Sequence, residues 1–324
     1  MSAVPGLLCP AAGAAADPRP PVGEGTLGIS LLEVPENRID DPRARIFIVD
    51  HVNPGATFTR RLQITNSSPT RQHVELYAAA ADIRHSRFTF APGRTPNELS
   101  LWITLNRPAV DVPPHGSAQV RATIHVPQSA TRGEQYAVIW AQVATGQPTA
   151  RRNIALVNRV GIRAYLDVGP EGEPPSQFQI GEVVPQRLDD GRPAIAAAVR
   201  NTGERAVDLV GRVVLSDGPS GIRAGPYPVP PGTTLAPGQA GTVTVPLGER
   251  LPDGPWKFQF TLQSGRITRT VSGSFTFPAR RGKGRPATLE SAATTLLALA
   301  ALAALAGVGA LIVVARHRRP AASP

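Results

Sequence analysis

The chain has 324 residues, enough for about two ordinary domains, and its 34 Pro and 31 Gly make up about a fifth of it. That composition argues against a helical bundle and favours short strands joined by turns. A single cysteine excludes a disulfide framework and any cysteine-based zinc or iron–sulfur site. The formal net charge of +10 is concentrated around the C-terminal apolar segment and forms no continuous basic stripe, so no nucleic-acid partner is predicted.

Residues 1–25 are predicted to be a signal peptide or a disordered leader. Residues 3–16 are small and apolar, and Ala14–Ala16 before Asp17 is similar to a signal cleavage site. No Lys or Arg precedes the apolar run, and Pro5 and Pro10 break it. A disordered leader therefore stays the alternative.

The body of the chain alternates apolar and polar residues, which is the period of a strand with one buried face. The alternation is clear at 119–126, 207–215 and 256–263, and Pro-Gly, Asn-x-Gly and Asp-Gly turns separate such runs. A weak repeat relates 62–76 to 198–209. The prediction is an all-β chain with two tandem immunoglobulin-like β-sandwiches, at 26–169 and 176–278, joined by a stiff Pro-rich linker at 170–175.

The C-terminal region predicts a membrane anchor. Residues 279–290 form a basic tether, and residues 291–315 carry no charge. As a helix those residues would span about 37 Å, enough to cross a hydrocarbon core of about 30 Å. With residues 316–324 as a basic cytoplasmic tail, the prediction is a single-pass plasma-membrane protein with an extracellular body, contacting lipid through 291–315.

The first unit, about residues 26–168, carries several short motifs in a fixed order. They include Val52-x-Pro54-Gly55, the run from Asn97 to Trp102, Val126-Pro127 and the more specific Gly133-Glu134-x-Tyr136…Trp140-Ala141. This unit resembles the peptidoglycan-binding domain of WxL-interacting proteins in its actinobacterial form. The resemblance implies an exported, membrane-held protein of the cell surface that contacts peptidoglycan or another cell-wall polymer.

The sequence shows no pattern typical of an enzyme. It has no Gly-x-Ser-x-Gly, no His-Glu-x-x-His and no phosphate loop. His73 and Glu75 share a strand face and would begin a metal site only with a third ligand, and the Asp40-Asp41 and Asp189-Asp190 pairs are typical of turns. No catalytic residue, metal site or cofactor is predicted.

Aromatic side chains are the predicted binding residues, because sugar rings stack on exposed aromatic faces. The candidates are Trp102, Tyr136 and Trp140. Core packing is the favoured interpretation for all three; if one of them is exposed, we expect it to be Trp102, since residues 97–100 have the composition of a loop. Four arginines would meet anionic wall polymers or form a solvated strand surface: Arg43, Arg45, Arg60 and Arg61.

The sequence as a whole predicts a membrane-anchored extracellular protein that binds the cell wall or another envelope protein without catalysis. Two alternatives remain. One is an assembly or chaperone-like sandwich that acts through an edge strand. The other, less favoured, is an envelope enzyme.

Overall fold

The structure is a computed structural model that describes residues 27–145, 156–248, 251–278 and 282–290. The predicted leader at 1–25, membrane helix at 291–315 and tail at 316–324 lie outside the described residues. No helix in the described ranges combines the length and the apolar composition that crossing a membrane requires.

The first sandwich contains two sheets. One has the order β1-β3-β8-β6, and the other has the order β2-β10-β9-β4-β5, with β7 also pairing with β4. All these neighbours are antiparallel except β2, which runs parallel to β10. The strands are β1 (Leu27–Leu31), β2 (Ile48–Val52), β3 (Thr57–Asn66), β4 (Gln72–Arg84), β5 (Arg87–Phe90), β6 (Ile103–Leu105), β7 (Ala109–Val112), β8 (Ser117–His125), β9 (Gly133–Thr145) and β10 (Leu156–Val168).

The second sandwich is built the same way, from sheets of order β17-β12-β11-β20 and β15-β14-β18-β19-β21 and a short β13-β16 pair. Its strands are β11 (Phe178–Arg187), β12 (Pro193–Asn201), β13 (Val207–Asp208), β14 (Val210–Ser216), β15 (Ala224–Pro228), β16 (Thr234–Leu235), β17 (Ala240–Pro246), β18 (Pro255–Ser264), β19 (Ile267–Thr276), β20 (Gly282–Lys283) and β21 (Thr288–Leu289).

Each sandwich buries the apolar residues of alternating strands between its two sheets. In β18, Trp256, Phe258, Phe260 and Leu262 are all buried in one cluster, as their spacing predicts. In the first sandwich, Ile124 of one sheet and Ile139 and Ile162 of the other share a core. The all-β prediction is thus confirmed for the described residues.

The segment before Trp102 is a helix and not the predicted loop. A short helix, α1 (Glu98–Trp102), begins at Asn97, whose side chain accepts a hydrogen bond from the Ser100 backbone N–H. The Ser100 hydroxyl in turn accepts a bond from the Asn97 backbone N–H at 2.7 Å. This reciprocal cap satisfies two backbone donors and turns Leu99 and Trp102 into the core.

The weak sequence repeat corresponds to a matching pair of buried asparagines that end β3 and β12. The Asn66 side chain donates to the carbonyls of Thr70 and Val112 and accepts from the Ser68 backbone N–H. Asn201 makes the equivalent bonds. Its side chain donates to the carbonyls of Arg205 at 2.8 Å and Leu235 at 3.0 Å, and it accepts from the Gly203 N–H at 3.0 Å. Each asparagine closes one sandwich at the same point.

Replacing Asn201 with alanine is expected to destabilise the second sandwich strongly. Asn201 is fully buried, so the change leaves the carbonyls of Arg205 and Leu235 without donors, at about 1–3 kcal/mol each. Urea unfolding of Asn201→Ala measures the loss, with Asn158→Ala on an exposed position as the control. Equal midpoints for the two variants would show that the asparagine does not secure the fold.

Candidate functional site

Buried ion pairs join the two sandwiches. The Arg205 side chain, 1% exposed, pairs through Nη1 with Glu173 and lies 3.5 Å through Nε from Oε1 of Glu134. Arg38 Nη1 reaches Glu173 at 2.7 Å, and Glu134 also accepts the Ala206 backbone N–H at 2.6 Å. We call Arg38, Glu134, Glu173 and Arg205 the clamp. Glu173 lies in the predicted linker, so the clamp holds the linker as well as both sandwiches.

A second set of contacts surrounds Asp208 of the second sandwich. Arg43 Nη2 lies 2.8 Å from its carboxylate, the Tyr165 hydroxyl donates to it at 2.9 Å, and Arg163 Nη1 lies at 3.2 Å. Burial lowers the pKa of Arg43, but Asp208 together with Tyr165, Glu134 and Asp41 raises it more, so the net shift is upward and the guanidinium stays charged. Burial and Asp208 together raise the pKa of Tyr165, which keeps its hydroxyl a donor.

Strand β10 presents an open backbone edge beside these contacts. It pairs with β9 along its whole length, from Leu156 opposite Thr145 to Val168 opposite Gly133. On its other side, β2 pairs only with Ala164–Val168. Among the described residues, no backbone hydrogen bond covers this side of residues 156–163. Every second residue there points its N–H and C=O away from β9.

The open edge adjoins a partly exposed apolar seam between the two sheets of the first sandwich. Leu27 and Ile29 of β1, itself an edge strand, and Val160 of β10 pack against the same core cluster but remain only partly buried. Val157 is 49% exposed. A strand added to β10 would cover this seam with every second side chain.

On the outer face of the same sheet, β10 supports an aromatic cluster. Gly161 pairs with Trp140 across the sheet, and a Cβ at position 161 would lie 2.7 Å from the indole and from Val138. The glycine thereby lets the indole lie over β10. Arg159 covers the ring at 4.4 Å from its centroid, and Phe90 packs against it at 4.8 Å.

The structure separates the three predicted binding aromatics. Trp102 is 7% exposed and lies inside the first core, not at the surface. Trp140 is 5% exposed on the outer face, with a buried Nε1 that makes no hydrogen bond among the described residues. Tyr136 is partly buried, and its hydroxyl donates a hydrogen bond to Glu134 at 2.9 Å. Burial is the main cause of its raised pKa, and the Glu134 carboxylate raises it further. The three form no shared ring-stacking surface.

Other predicted residues also have specific partners. Arg43 is buried at the Asp208 contact, while Arg60 pairs with Asp50 at 2.6 Å and Arg61 with Glu33 at 2.8 Å. Arg43 and Arg60 are therefore held by carboxylates away from solvent, whereas Arg61 pairs with Glu33 at the surface with its side chain 54% exposed.

The two candidate metal ligands also contact other side chains. His73 lies 2.9 Å from Asp111, and Glu75 lies 2.7 Å from Arg94. Within the described ranges no group of three or more His, Cys, Asp or Glu is placed to hold a metal ion.

No family model matches the chain, and no curated protein matches it. Among solved structures it aligns with the CupB2 chaperone of Pseudomonas aeruginosa at 12% identity and a TM-score of 0.37, over 72% of this chain and 97% of that one. The DraB chaperone of E. coli aligns at 13% identity and a TM-score of 0.38, over 78% of this chain and 98% of that one. A Salmonella enterica complex of SafA pilin with the SafB chaperone aligns at 9% identity and a TM-score of 0.40, over 82% of this chain and 96% of that one. At these values the likeness carries no argument about activity.

These comparisons correct the expected family. The matching structures that cover 70% or more of this chain are chaperones or their complexes, several of fimbriae or pili, whereas a glycoside hydrolase of Clostridium perfringens matches over 44%. The resemblance to WxL-interacting cell-surface proteins is wrong. The expected contact with peptidoglycan or another cell-wall polymer, which depended on that resemblance, loses its support with it. The predicted single-pass plasma-membrane location with an extracellular body is likewise wrong on these findings, and the span on which it depended lies outside the described residues.

The clamp predicts an acid-sensitive stability that depends on Glu173. Burial raises the pKa of Glu173, but the contacts with Arg38 and Arg205 lower it more, so the net shift is downward. A depressed carboxylate pKa stabilises the fold above the unfolded-state value of about 4.3, and this stabilisation disappears as the pH falls through the folded-state pKa. We expect Glu173→Gln to lower the Tm at neutral pH and the difference from wild type to shrink below about pH 4.

Glu171→Gln is the matched control, because Glu171 is 89% exposed and lies 3.6 Å from Arg132. Thermal unfolding of the three proteins across pH gives the comparison. A gap for Glu173→Gln that stays constant from neutral to acid pH would contradict a charged clamp.

Proposed function

We propose that this chain is a non-catalytic protein-binding module that holds an extended segment of a partner protein along the open edge of β10. This is the mode of an assembly or chaperone-like sandwich. The observation that carries the proposal is the unpaired outer side of residues 156–163, bordered by the partly exposed Leu27, Ile29 and Val160. Strand addition uses the backbone for affinity and alternate side chains for specificity.

The open edge lacks most of the features that protect a sheet edge from pairing. Proteins shorten their edge strands or place charged residues, proline or a bulge there. Residues 156–163 contain no proline and no lysine, and their register with β9 is unbroken. Their two charged residues, Arg159 and Arg163, lie over the rings of Trp140 and Phe47. By contrast, β11 carries a bulge between Ile180 and Val183, and β15 contains two prolines.

The chemistry of the partner segment follows from what backbone pairing can supply. A strand along 156–163 would pair with about four outward-facing residues through the N–H and the C=O of each, so about eight hydrogen bonds would contribute about 1 kcal/mol net each. Association costs about 4–15 kcal/mol, and ordering the extended segment adds to that cost. The surplus must come from burying apolar area at about 25 cal/mol per Å², so the segment should carry apolar residues at every second position, facing the seam of Leu27, Ile29 and Val160.

Such binding requires no reacting group. The side chains that line the edge are Val157, Asn158, Arg159 and Val160, none of which forms a nucleophile–base pair. The partner is therefore inferred to be a protein that is bound at the edge and not chemically altered there.

A charge on the edge is expected to abolish capture of an extended peptide. The probe is a phage-displayed library of random peptides of about twelve residues, long enough to cover the edge, selected on the whole chain. Val157→Glu and Val160→Glu should each weaken the selected peptides by about tenfold or more, because pairing would bury the new carboxylate.

Thr268→Glu is the control, since Thr268 is exposed on β19 of the second sandwich. Its affinity should match wild type in a fluorescence titration. Peptides that bind Val157→Glu and Val160→Glu as tightly as wild type would refute pairing at β10.

A further inference from the structure

We infer that the partner segment inserts one large apolar side chain into a pocket between the two sandwiches, at the end of the open edge. This inference rests on the proposed function. The pocket has a volume of about 210 Å³ and is mainly apolar. Its walls include Ile46, Phe47, Leu209, Val210, Pro231 and Arg163.

The position of β2 aligns the pocket with the bound segment. The β2 strand begins at Ile48, opposite Ala164 of β10, and the preceding residues Ile46 and Phe47 lie outside it. A strand paired with residues 156–163 would occupy the row that β2 leaves empty. Its end nearest β2 would therefore lie beside Arg163 and Phe47.

Side-chain direction decides which face that end addresses. Arg159 and Arg163 of β10 both contact aromatic rings of the outer face, Arg159 over Trp140 and Arg163 over Phe47 at 5.1 Å from the centroid. Neighbouring residues in adjacent strands point to the same face. The segment residue beside Arg163 therefore points outward, toward the pocket that Arg163 and Phe47 line.

The free surface of the pocket selects an apolar side chain. Ile46 and Val210 are 59% and 49% exposed, and Leu209 is buried at 1%. The charged groups at the pocket are Arg43, Arg163 and Asp208, and both arginines already pair with Asp208. An apolar side chain would cover Ile46 and Val210 without adding an unpaired polar group to the pocket.

The size of the pocket indicates one side chain and not a cofactor. Its volume far exceeds the ~30 Å³ share of one water molecule. It is smaller than the ~300–1,000 Å³ typical of small-molecule sites. A leucine, phenylalanine or similar side chain matches both limits.

The test uses the peptides of about twelve residues selected from the random library, with affinities measured on the whole chain. Ile46→Asp and Val210→Glu place charge at the rim, on side chains that are 59% and 49% exposed, and each should weaken binding about tenfold. Thermal unfolding of each variant checks that it folds as the wild type does. Leu101→Asp is the matched control, because Leu101 is an exposed apolar residue at 72% on α1 and should leave affinity unchanged.

A second set of measurements isolates the pocket contact. Replacing the large apolar residue at one end of the peptide by alanine should cost about tenfold on wild type and little on Val210→Glu, since the two changes remove the same contact.

Three outcomes are separable. Loss on Ile46→Asp and Val210→Glu, coupled to the peptide end, supports the inference. Peptides that need the β10 edge but bind both pocket variants normally overturn it and leave the proposed function standing. Peptides that ignore both the edge and the pocket variants overturn both.

Discussion

The burial of Arg205 constrains everything else in the arrangement of the two sandwiches. An unpaired charge with 1% exposure would cost several kcal/mol, so its partners must be in place whenever the chain is folded. Those partners, Glu134 and Glu173, belong to the first sandwich and the linker. Glu134 also accepts the backbone N–H of Ala206. One relative orientation of the sandwiches satisfies all of these groups together.

That orientation in turn gives β10 two roles along one strand. Within the stretch that pairs with β2, Tyr165 also contacts Asp208 of the second sandwich, and Arg163, just before that stretch, contacts the same carboxylate. Before that point the strand offers an unpaired edge. Arg163 is thus both the last open residue and the first inter-sandwich contact, which places the apolar pocket in line with the edge. The clamp holds that alignment in the folded protein, so a partner meets a preformed surface and binding costs less ordering free energy.

The sequence predicts local features well and long-range ones poorly. The alternation from Trp256 to Leu262 identifies a buried strand face, and the repeat around Asn66 and Asn201 identifies two related units, because both signals lie within a few residues. The helix that buries Trp102 is not predicted from the sequence, although Asn97 and Ser100 have the spacing of a helix cap. Arg43 contacts Ala206, 163 positions away, and no local pattern marks an arginine for such burial. The open edge depends on where β2 ends relative to β10, which alternation alone cannot specify.

Residue-resolved amide hydrogen exchange of β10 in the free protein tests the central claim most directly. The account predicts that every second amide among 157–163 exchanges rapidly, while the amides between them and those of 164–168 are protected by β9 and β2. Uniform protection across 157–163 in the free chain would show that the edge is already occupied and would contradict the account.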